Sequence, residues 1–251
     1  MRGLYLAESA MLTGQARLNL ISNNLANLKT AGYKRDEPAQ VSFNEWLLYC
    51  RQPAESANLP HTPIGEMAHG VAVGEIRTDF TTGGLEETGR GLDFALDRGY
   101  FTVQGPEGEL LYTRNGRFFL DEEGYLVTAD HLPVLGEGGA IQLESPEITV
   151  DRGGTIYREG QPIARLQITE FPPDLILEKT GHNYFRAPGA GEILEDNSGV
   201  YWRYLENSNV DLTREMVLML QTRRSYEAAQ KVMVSYEQLL SRAANELGAL
   251  S

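Results

Sequence analysis

The beginning of the chain shows an apolar pattern with the period of a helix. Apolar or small side chains recur in steps of three and four residues over 4–28, the a/d spacing of a coiled-coil seam. The large members of this seam are Leu4, Met11, Leu18, Ile21, Leu25 and Leu28. Two further positions, Ala7 and Gly14, are small and would let a partner helix approach closely. The pattern predicts a helix over residues 2–29, which ends near Gly32.

A second seam runs along the end of the chain. Its positions repeat every seven residues at Met219, Tyr226, Met233, Leu240 and Leu247. Asp211 is the predicted N-cap, and no proline or glycine interrupts 212–247, so one helix there would be about 50 Å long. Burial of each large seam residue is worth about 1.5 to 3 kcal/mol, which an isolated helix cannot gain. We therefore predict that the two helices pack on each other or on neighbouring copies.

Between the seams, glycine and proline separate short alternating runs that are typical of strands. A turn at 105–108 separates two such runs, and the pair Asn115-Gly116 predicts a tight hairpin. Turns at 121–124 and 151–154 continue the pattern, which predicts β-meanders.

These patterns predict an α+β fold. N- and C-terminal long helices would pair as a coiled-coil arm, and a central, mainly antiparallel β domain of meanders and hairpins would lie between them in the chain. The predicted parts are an N-terminal helical arm over 1–35, an irregular, proline-containing connector over 36–74, a β-rich outer domain over 75–204 and a C-terminal helical arm over 205–251. The two arms together would form an inner assembly domain.

Charge and composition narrow the possible functions. The formal net charge is −13, which argues against a nucleic-acid partner because phosphate binding needs a basic surface. Residues 1–35 carry five basic side chains and one acidic one, so the negative charge belongs to the β-rich middle. The single cysteine, Cys50, cannot form an internal disulfide. No apolar run approaches the roughly 20 residues that cross a bilayer, so we expect no membrane insertion, and the start of the chain does not resemble a cleaved signal peptide.

Residues that could carry catalysis or bind a metal are scattered. The four histidines, His61, His69, His131 and His182, lie far apart without ligand-like spacing. An enzyme alternative, a hydrolase that uses Asp121 or Asp151, has only generic turn carboxylates in its favour. We therefore expect no catalytic site, no cofactor and no metal.

Three asparagines, Asn23, Asn24 and Asn27, follow one another at the end of the first seam. Asparagine is a poor helix former, so these residues mark either the fraying end of the helix or amides that bind a partner. Asn23 and Asn27 lie one turn apart and could bond to neighbouring subunits or to the connector. The segment 33–35 is either a polar exit from the helix or a contact between the arm and the β domain.

The segment SNNLANLKTAGYKR, residues 22–35, closely resembles the N-terminal signature of the flagellar rod and hook family. The resemblance continues over 88–103, 112–128 and 205–227, and the last of these contains a Glu-x-Ser-Asn-Val segment. The compact middle is similar to rod proteins of the FlgG and FlgF kinds, because the hook protein usually carries an additional large outer domain. Some of its motifs resemble the proximal rod type and another resembles the distal rod type, so the sequence does not separate the two types.

The resemblance implies a non-enzymatic structural subunit of the bacterial flagellar basal-body rod in the cell envelope. Such a protein is exported by the flagellar type III apparatus without a cleaved signal peptide. It polymerises helically through its terminal helices, with copies of itself and other rod and hook axial proteins as partners, and transmits torque for motility. The residues assigned to the assembly interface are the large seam residues above and Asn23, Asn24, Asn27, Gly32, Tyr33, Lys34, Arg35, Asn209 and Val210. An alternative is an oligomeric β-rich module that binds peptidoglycan or carbohydrate, which would need an aromatic-lined groove.

Overall fold

The computed structural model describes residues 2–42, 45–50, 62–68, 71–172, 175–189, 191–193 and 199–248. Two long helices, α1 (Arg2–Ala26) and α2 (Leu212–Gly248), lie where the apolar periodicity predicts them. Asp211 is the N-cap of α2, as predicted: its Oδ1 accepts hydrogen bonds from the backbone N–H groups of Thr213 at 2.8 Å and Arg214 at 3.2 Å.

The prediction for the end of α1 is wrong by about one turn. The helix stops at Ala26. The chain then turns, because the backbone N–H of Thr30 donates to the carbonyl oxygen of Asn27 at 3.1 Å and the Thr30 hydroxyl donates to Oδ1 of Asn27 at 3.1 Å. This local bonding competes with the helix, which is a typical property of asparagine. Gly32 therefore does not cap α1.

All strand pairs of the described residues are antiparallel. Two long helices and a central antiparallel β region make an α+β fold, as predicted. The strands are β1 (Asp36–Ser42), β2 (Glu45–Cys50), β3 (Thr62–Ala68), β4 (Val71–Thr78), β5 (Leu85–Glu87), β6 (Phe94–Leu96), β7 (Tyr100–Gln104), β8 (Leu110–Thr113), β9 (Phe119–Leu120), β10 (Leu126–Val127), β11 (Leu135–Gly136), β12 (Gly139–Ala140), β13 (Thr149–Val150), β14 (Thr155–Arg158), β15 (Gln161–Arg165), β16 (Ile168–Glu170), β17 (Glu178–Gly181), β18 (Tyr184–Arg186), β19 (Glu192–Ile193), β20 (Val200–Trp202) and β21 (Tyr204–Glu206).

The chain folds into two compact units. Unit 1 contains both helices and comprises Met1–Leu25, Asp36–Asp79 and Asp211–Ser251. Unit 2 comprises Ala26–Arg35 and Phe80–Val210.

In unit 1, small residues of α1 face aromatic residues of α2. A Cβ placed on Gly14 would lie 3.4 Å from Cδ2 of Tyr226, and one placed on Gly3 would overlap the hydroxyl of Tyr236. The two helices are therefore antiparallel, because the contact moves towards the start of α2 as it moves along α1. The Tyr236 side chain would have to move to admit a Cβ at Gly3, so glycine there leaves room for the tyrosine.

Residues 36–74 are not an irregular connector in their described part, so this prediction is wrong there. Strand β1 pairs with β4, and β2 pairs with β3, as separate two-stranded sheets. The prolines that argued against strands are tolerated because both strands of a two-stranded sheet are edges. Pro38 lies beside a register shift of β1, and Pro63 pairs with Tyr49 at a register shift of β2.

Unit 2 is built around a six-stranded sheet in the order β17-β18-β8-β7-β16-β19. The turn predicted at 105–108 joins β7 to β8, and the turns predicted at 121–124 and 151–154 join β9 to β10 and β13 to β14. Aliphatic side chains make up most of the core, together with aromatic rings such as Phe101 and Phe118, which meet edge to face with centroids 5.1 Å apart.

The pair Asn115-Gly116 does not form the predicted hairpin. Strand β8 pairs with β7 and β18, whereas β9 pairs with β10. Gly116 instead lies against β6: its carbonyl oxygen accepts a hydrogen bond from the backbone N–H of Phe94 at 3.0 Å, and a Cβ on Gly116 would overlap the carbonyl oxygen of Phe94. The glycine that reads as a turn signal is thus required for close packing.

Candidate functional site

Lys34, from the signature at 22–35, and Glu206, from the segment at 205–210, meet in unit 2 and form a buried ion pair. Glu206 binds Lys34 through Oε1, at 2.7 Å from Nζ, and Arg114 through Oε2, at 3.2 Å from one guanidinium nitrogen. The side chains of Lys34 and Glu206 are 0% exposed and that of Arg114 is 7% exposed. The backbone N–H of Gly83 also donates to Oε1, at 2.9 Å. We call Lys34, Arg114 and Glu206 the buried ionic cluster.

The two cations of this cluster make further hydrogen bonds to backbone carbonyl oxygens. Nζ of Lys34 donates to the carbonyl oxygen of Thr81 at 2.7 Å, and the Arg114 guanidinium donates to that of Leu96 at 3.0 Å. The guanidinium also lies 5.0 Å from the ring centroid of Tyr100. Burial raises the pKa of Tyr100 to about 12, despite the opposing effect of Arg114. Tyr100 is 8% exposed, so the ring beside the cluster is buried like the cluster itself.

The chain segment before Lys34 is held along its length. Gly32 has a φ of 65°, its backbone N–H donates to the carbonyl oxygen of Glu206 at 2.7 Å, and a Cβ there would overlap the carbonyl carbon of Arg114. Nζ of Lys179 lies 4.6 Å from the centroid of the Tyr33 ring and donates to the carbonyl oxygen of Lys34 at 2.6 Å. Tyr33 and Gly32 are both buried. This segment is therefore part of the fold of unit 2 and not merely a polar exit from α1.

Gly32→Ala is expected to destabilise unit 2 more than Gly89→Ala, and the difference should be about 1 to 3 kcal/mol, the usual cost of overpacking. Both glycines have positive φ, 65° and 71°, so both variants suffer the same backbone strain. Only Gly32 also meets backbone atoms, because no atom lies within 4 Å of a Cβ built on Gly89. Urea unfolding of both variants measures the difference, and equal losses would show that the close approach to Arg114 relaxes freely.

Asn209 fixes the chain at the other end of unit 2. Its Oδ1 accepts a hydrogen bond from the backbone N–H of Arg35 at 2.8 Å. Its Nδ2 donates to the carbonyl oxygen and the hydroxyl of Thr81, both at 3.2 Å. The next residue, Val210, is buried. Asn209 thus joins the segments that lead to the two helices through one side-chain amide.

Of the three asparagines predicted to bind partners, Asn24 is the buried one. Its Nδ2 donates to the carbonyl oxygen of Asp36 at 2.9 Å, and its Oδ1 accepts from the backbone N–H of Asp36 at 3.1 Å, both within unit 1. The Thr78 hydroxyl donates to the Asp36 carboxylate at 2.7 Å. Asn23 is exposed and Asn27 is half-buried. The two hydrogen bonds to the Asp36 backbone are therefore made by Asn24, whereas the helical spacing had pointed to the pair Asn23 and Asn27.

The seam residues are unevenly covered. Ile21 is buried, while Leu4, Met11, Leu18, Leu25, Leu28, Met219, Tyr226 and Met233 are half-buried. Leu240 is 51% exposed, and the side chain of Leu247 lies outside the described residues. On α2, Leu212, Met216 and Leu220 are 46%, 54% and 58% exposed and follow one another at intervals of four residues. We call these three side chains the outer stripe of α2.

The residues considered for catalysis have structural roles. Oδ1 of Asp121 accepts hydrogen bonds from the backbone N–H groups of Glu123 and Tyr125, at 3.0 and 2.6 Å. Oδ1 of Asp151 accepts one from Thr155 at 2.9 Å. Both aspartates therefore close turns, as their sequence context indicates.

The described histidines lie in exposed turns. His131 and His182 both have positive φ, and Nδ1 of His182 is 3.4 Å from a carboxylate oxygen of Asp130. His61 and His69 lie outside the described residues, as does the side chain of Cys50. Among the described residues, no group of three or more His, Cys, Asp and Glu side chains could hold a metal ion. The described helices include none that is long and apolar enough to cross a membrane.

Sequence reasoning missed the partners of the signature residues. Arg114 and Glu206 lie inside segments that match the family, but the spacing of charges along the chain does not show that they are buried together. Lys34 and Glu206 are 172 positions apart. Residues so far apart in the chain leave no local sequence pattern from which a buried ion pair could be predicted.

Buried polar groups anchor the chain within unit 2, and α2 of unit 1 carries exposed apolar side chains; both features are compatible with a structural protein. Comparison with known families agrees. Residues 4–34 match the model of the flagella basal body rod protein, residues 97–158 that of the flagellar hook protein FlgE/F/G D1 domain, and residues 203–247 that of the flagellar basal body rod FlgEFG protein C-terminal region.

Similar proteins of other bacteria match over nearly their whole length. The chain is 33% identical to the flagellar basal-body rod protein FlgG of Agrobacterium fabrum, over 96% of this chain and 97% of that protein. It is 33% identical to FlgF of Rhizobium meliloti, over 98% of both. It is 32% identical to FlgG of Buchnera aphidicola from Acyrthosiphon pisum, over 95% and 97%. The chain belongs to the flagellar basal-body rod protein family, a family of structural proteins and not of enzymes.

Proposed function

We propose that this chain polymerises helically into the axial rod of the flagellar basal body through α1 and α2. The observation that carries the proposal is the outer stripe of α2, whose three apolar side chains are each about half exposed in the single chain. Such a stripe on a helix favours burial against another helix, and burial of each residue is worth about 1.5 to 3 kcal/mol. Copies of this chain and other axial proteins of the rod and hook are the proposed partners.

Within one subunit, we propose that α1 and α2 pair as the coiled-coil arm. Close approach at Gly3 and Gly14 supports this pairing, because both glycines face tyrosines of α2. The end of α2 beyond Tyr236 carries exposed Leu239 and Leu240. These residues are proposed to bind neighbouring subunits.

The remaining interface assignments divide into two groups. Gly32, Lys34 and Asn209 have their bonds inside unit 2, and we propose that they act by anchoring the chain where it continues into the helices. Asn23 is exposed and stays a proposed contact between subunits. Buried ionic bonds hold unit 2 together internally, which suits a subunit that transmits torque for motility.

Export is proposed to occur through the flagellar type III apparatus, without a cleaved signal peptide. The family supports this route, and the apparatus is then a further partner during secretion. After export the subunit would reside in the basal body, within the cell envelope.

Purification of basal bodies tests the proposal. In the source bacterium, detergent-released basal bodies are expected to contain this chain, as measured by mass spectrometry. Deletion of its coding sequence is expected to abolish swimming, and the full chain supplied in trans should restore it. Basal bodies that lack the chain, or a deletion strain that swims normally, would contradict a role in the rod.

A further inference from the structure

The pair Asn115-Gly116 lies between β8 and β9 and does not form the hairpin that its sequence predicts. Asparagine followed by glycine is also the dipeptide most prone to spontaneous deamidation, because glycine has no side chain to shield its backbone nitrogen. The segment is part of unit 2, where Asn115 is half-buried and Gly116 is buried. A reactive pair is thus packed within the fold and not displayed on an exposed turn.

Deamidation of this pair needs only the chain and water. The backbone nitrogen of Gly116 attacks the side-chain carbonyl carbon of Asn115, and its proton passes through solvent to the leaving Nδ2 group. A C–N bond forms, the bond from that carbon to Nδ2 breaks, and ammonia leaves a succinimide ring. Water then opens the ring at either carbonyl carbon and gives aspartate or isoaspartate. The isoaspartate main chain runs through Cβ and is therefore longer by one atom.

The fold holds both reacting groups of this pair. Oδ1 of Asn115 accepts a hydrogen bond from the backbone N–H of Arg117 at 3.1 Å, and the Asn115 backbone N–H donates to the Thr113 hydroxyl at 3.1 Å. The carbonyl oxygen of Gly116 accepts a hydrogen bond from the backbone N–H of Phe94 at 3.0 Å. Ring closure brings the side-chain carbon to covalent distance from the Gly116 nitrogen, so the side chain and the peptide must leave these partners. The reaction therefore needs local opening of unit 2.

The two products of deamidation differ in whether they fit unit 2. The main chain over 114–116 is closely packed: a Cβ on Gly116 would overlap the carbonyl oxygen of Phe94, and a Cβ on Gly32 would overlap the backbone nitrogen of Asn115. An additional main-chain atom has no room between these contacts. Aspartate keeps the length of the main chain and the oxygen that accepts the local hydrogen bond, so it fits where isoaspartate does not.

We propose that Asn115 is a self-modification site that reacts while unit 2 is unfolded and is protected once unit 2 has folded. Isoaspartate formed in an unfolded chain then prevents unit 2 from folding, because the segment 114–116 no longer fits its surroundings. A chain that stays unfolded for long is thereby lost from the folded population. This property belongs to unit 2 and does not depend on the rod function.

Incubation of the full chain at mildly alkaline pH, in native buffer and in concentrated urea, tests the proposal. Cleavage after Glu109 and Glu122 releases the peptide 110–122, and liquid chromatography with mass spectrometry separates its asparagine, aspartate and isoaspartate forms. We expect conversion in urea, mostly to isoaspartate. In native buffer we expect conversion to be at least about tenfold slower, because the pair reacts only in the small fraction of chains that are open.

Two variants separate the chemistry of the pair from its effect on the fold. Gly116→Ala, compared in urea where the fold plays no part, should slow conversion at least about tenfold, because the methyl group shields the attacking nitrogen. Asn115→Asp should refold after dilution of the urea with the unfolding midpoint of the parent chain, whereas aged isoaspartate chains should stay unfolded and be digested by added protease. Equal conversion in both buffers, no conversion in urea, no effect of Gly116→Ala, or isoaspartate chains that refold as fully as Asn115→Asp would each overturn the proposal.

Discussion

Replacement of Glu206 by glutamine is expected to lower the free energy of unfolding of unit 2 by about 3 to 5 kcal/mol. The carboxylate neutralises Lys34 and Arg114, and both cations are buried. Glutamine keeps the shape and one acceptor oxygen but leaves two buried positive charges without a counter-ion. Removal of one partner from a buried ionic group costs far more than the group contributes in net stability, because the remaining charges cannot reach water.

Urea unfolding followed by Trp202 fluorescence in the Trp46→Phe background measures this loss in unit 2. The control is Glu87→Gln, because Glu87 is an exposed carboxylate that accepts a hydrogen bond from the Tyr204 hydroxyl at 3.3 Å. We expect the control to change stability by less than about 0.5 kcal/mol. Lys34→Met combined with Glu206→Gln should lose less than the sum of the two single variants, because the pair is coupled. A loss for Glu206→Gln as small as that of the control would show that water reaches the cluster.

The helices could be predicted from the sequence because their information is local. The seams repeat along consecutive turns, and the N-cap at Asp211 precedes the helix that it caps. The first helix ends before its apolar pattern does, because Asn27 hydrogen-bonds to Thr30 and this turn competes with the helix. The apolar pattern does not show that competition. Periodicity therefore indicates which segments are helical better than it indicates where they stop.

The strands between residues 36 and 78 were missed for a different reason. Two-stranded sheets tolerate prolines and need no clean alternation, since neither strand is enclosed by neighbours. At Asn115-Gly116 the error was the reverse, because a hairpin was predicted that does not form. Gly116 is needed for close approach to Phe94. In a single sequence, a glycine that forms a turn cannot be distinguished from a glycine that is needed for close packing.

The anchoring residues were only partly predictable. The signature pointed to the segment around Lys34, and the C-terminal match pointed to Asn209. Neither match identifies the side chain that neutralises a buried charge. Arg114 lies in the middle of the chain, and its side chain meets Glu206 only because β8 and β21 fold into the same unit. Long-range pairing of this kind follows from the fold and not from spacing.

Leu220→Asp is expected to abolish assembly into the rod and therefore swimming. Leu220 is 58% exposed and belongs to the outer stripe of α2, so its replacement should not disturb the fold of unit 1. A charge at the centre of a buried helix contact removes about 1.5 to 3 kcal/mol of apolar burial and adds the cost of desolvating a carboxylate at every subunit interface. A polymer repeats this penalty along its length, so one substitution is sufficient.

Swimming in soft agar and electron microscopy of purified basal bodies measure the effect of Leu220→Asp. The control is Gln221→Asp, which adds the same charge at the next exposed position of α2. Normal melting of the purified Leu220→Asp chain must accompany its loss of assembly.

Leu220→Asp is more informative than Leu18→Asp or Met233→Asp, although all three are expected to prevent assembly. Leu18 and Met233 are half-buried within the single chain, so a charge there also disturbs the packing of unit 1. Loss of assembly in those variants would not distinguish a misfolded arm from a lost subunit contact. Leu220 makes this distinction, because its side chain faces outward: normal rods built from the Leu220→Asp chain would show that the outer stripe is not the contact between subunits, whatever the other two variants do.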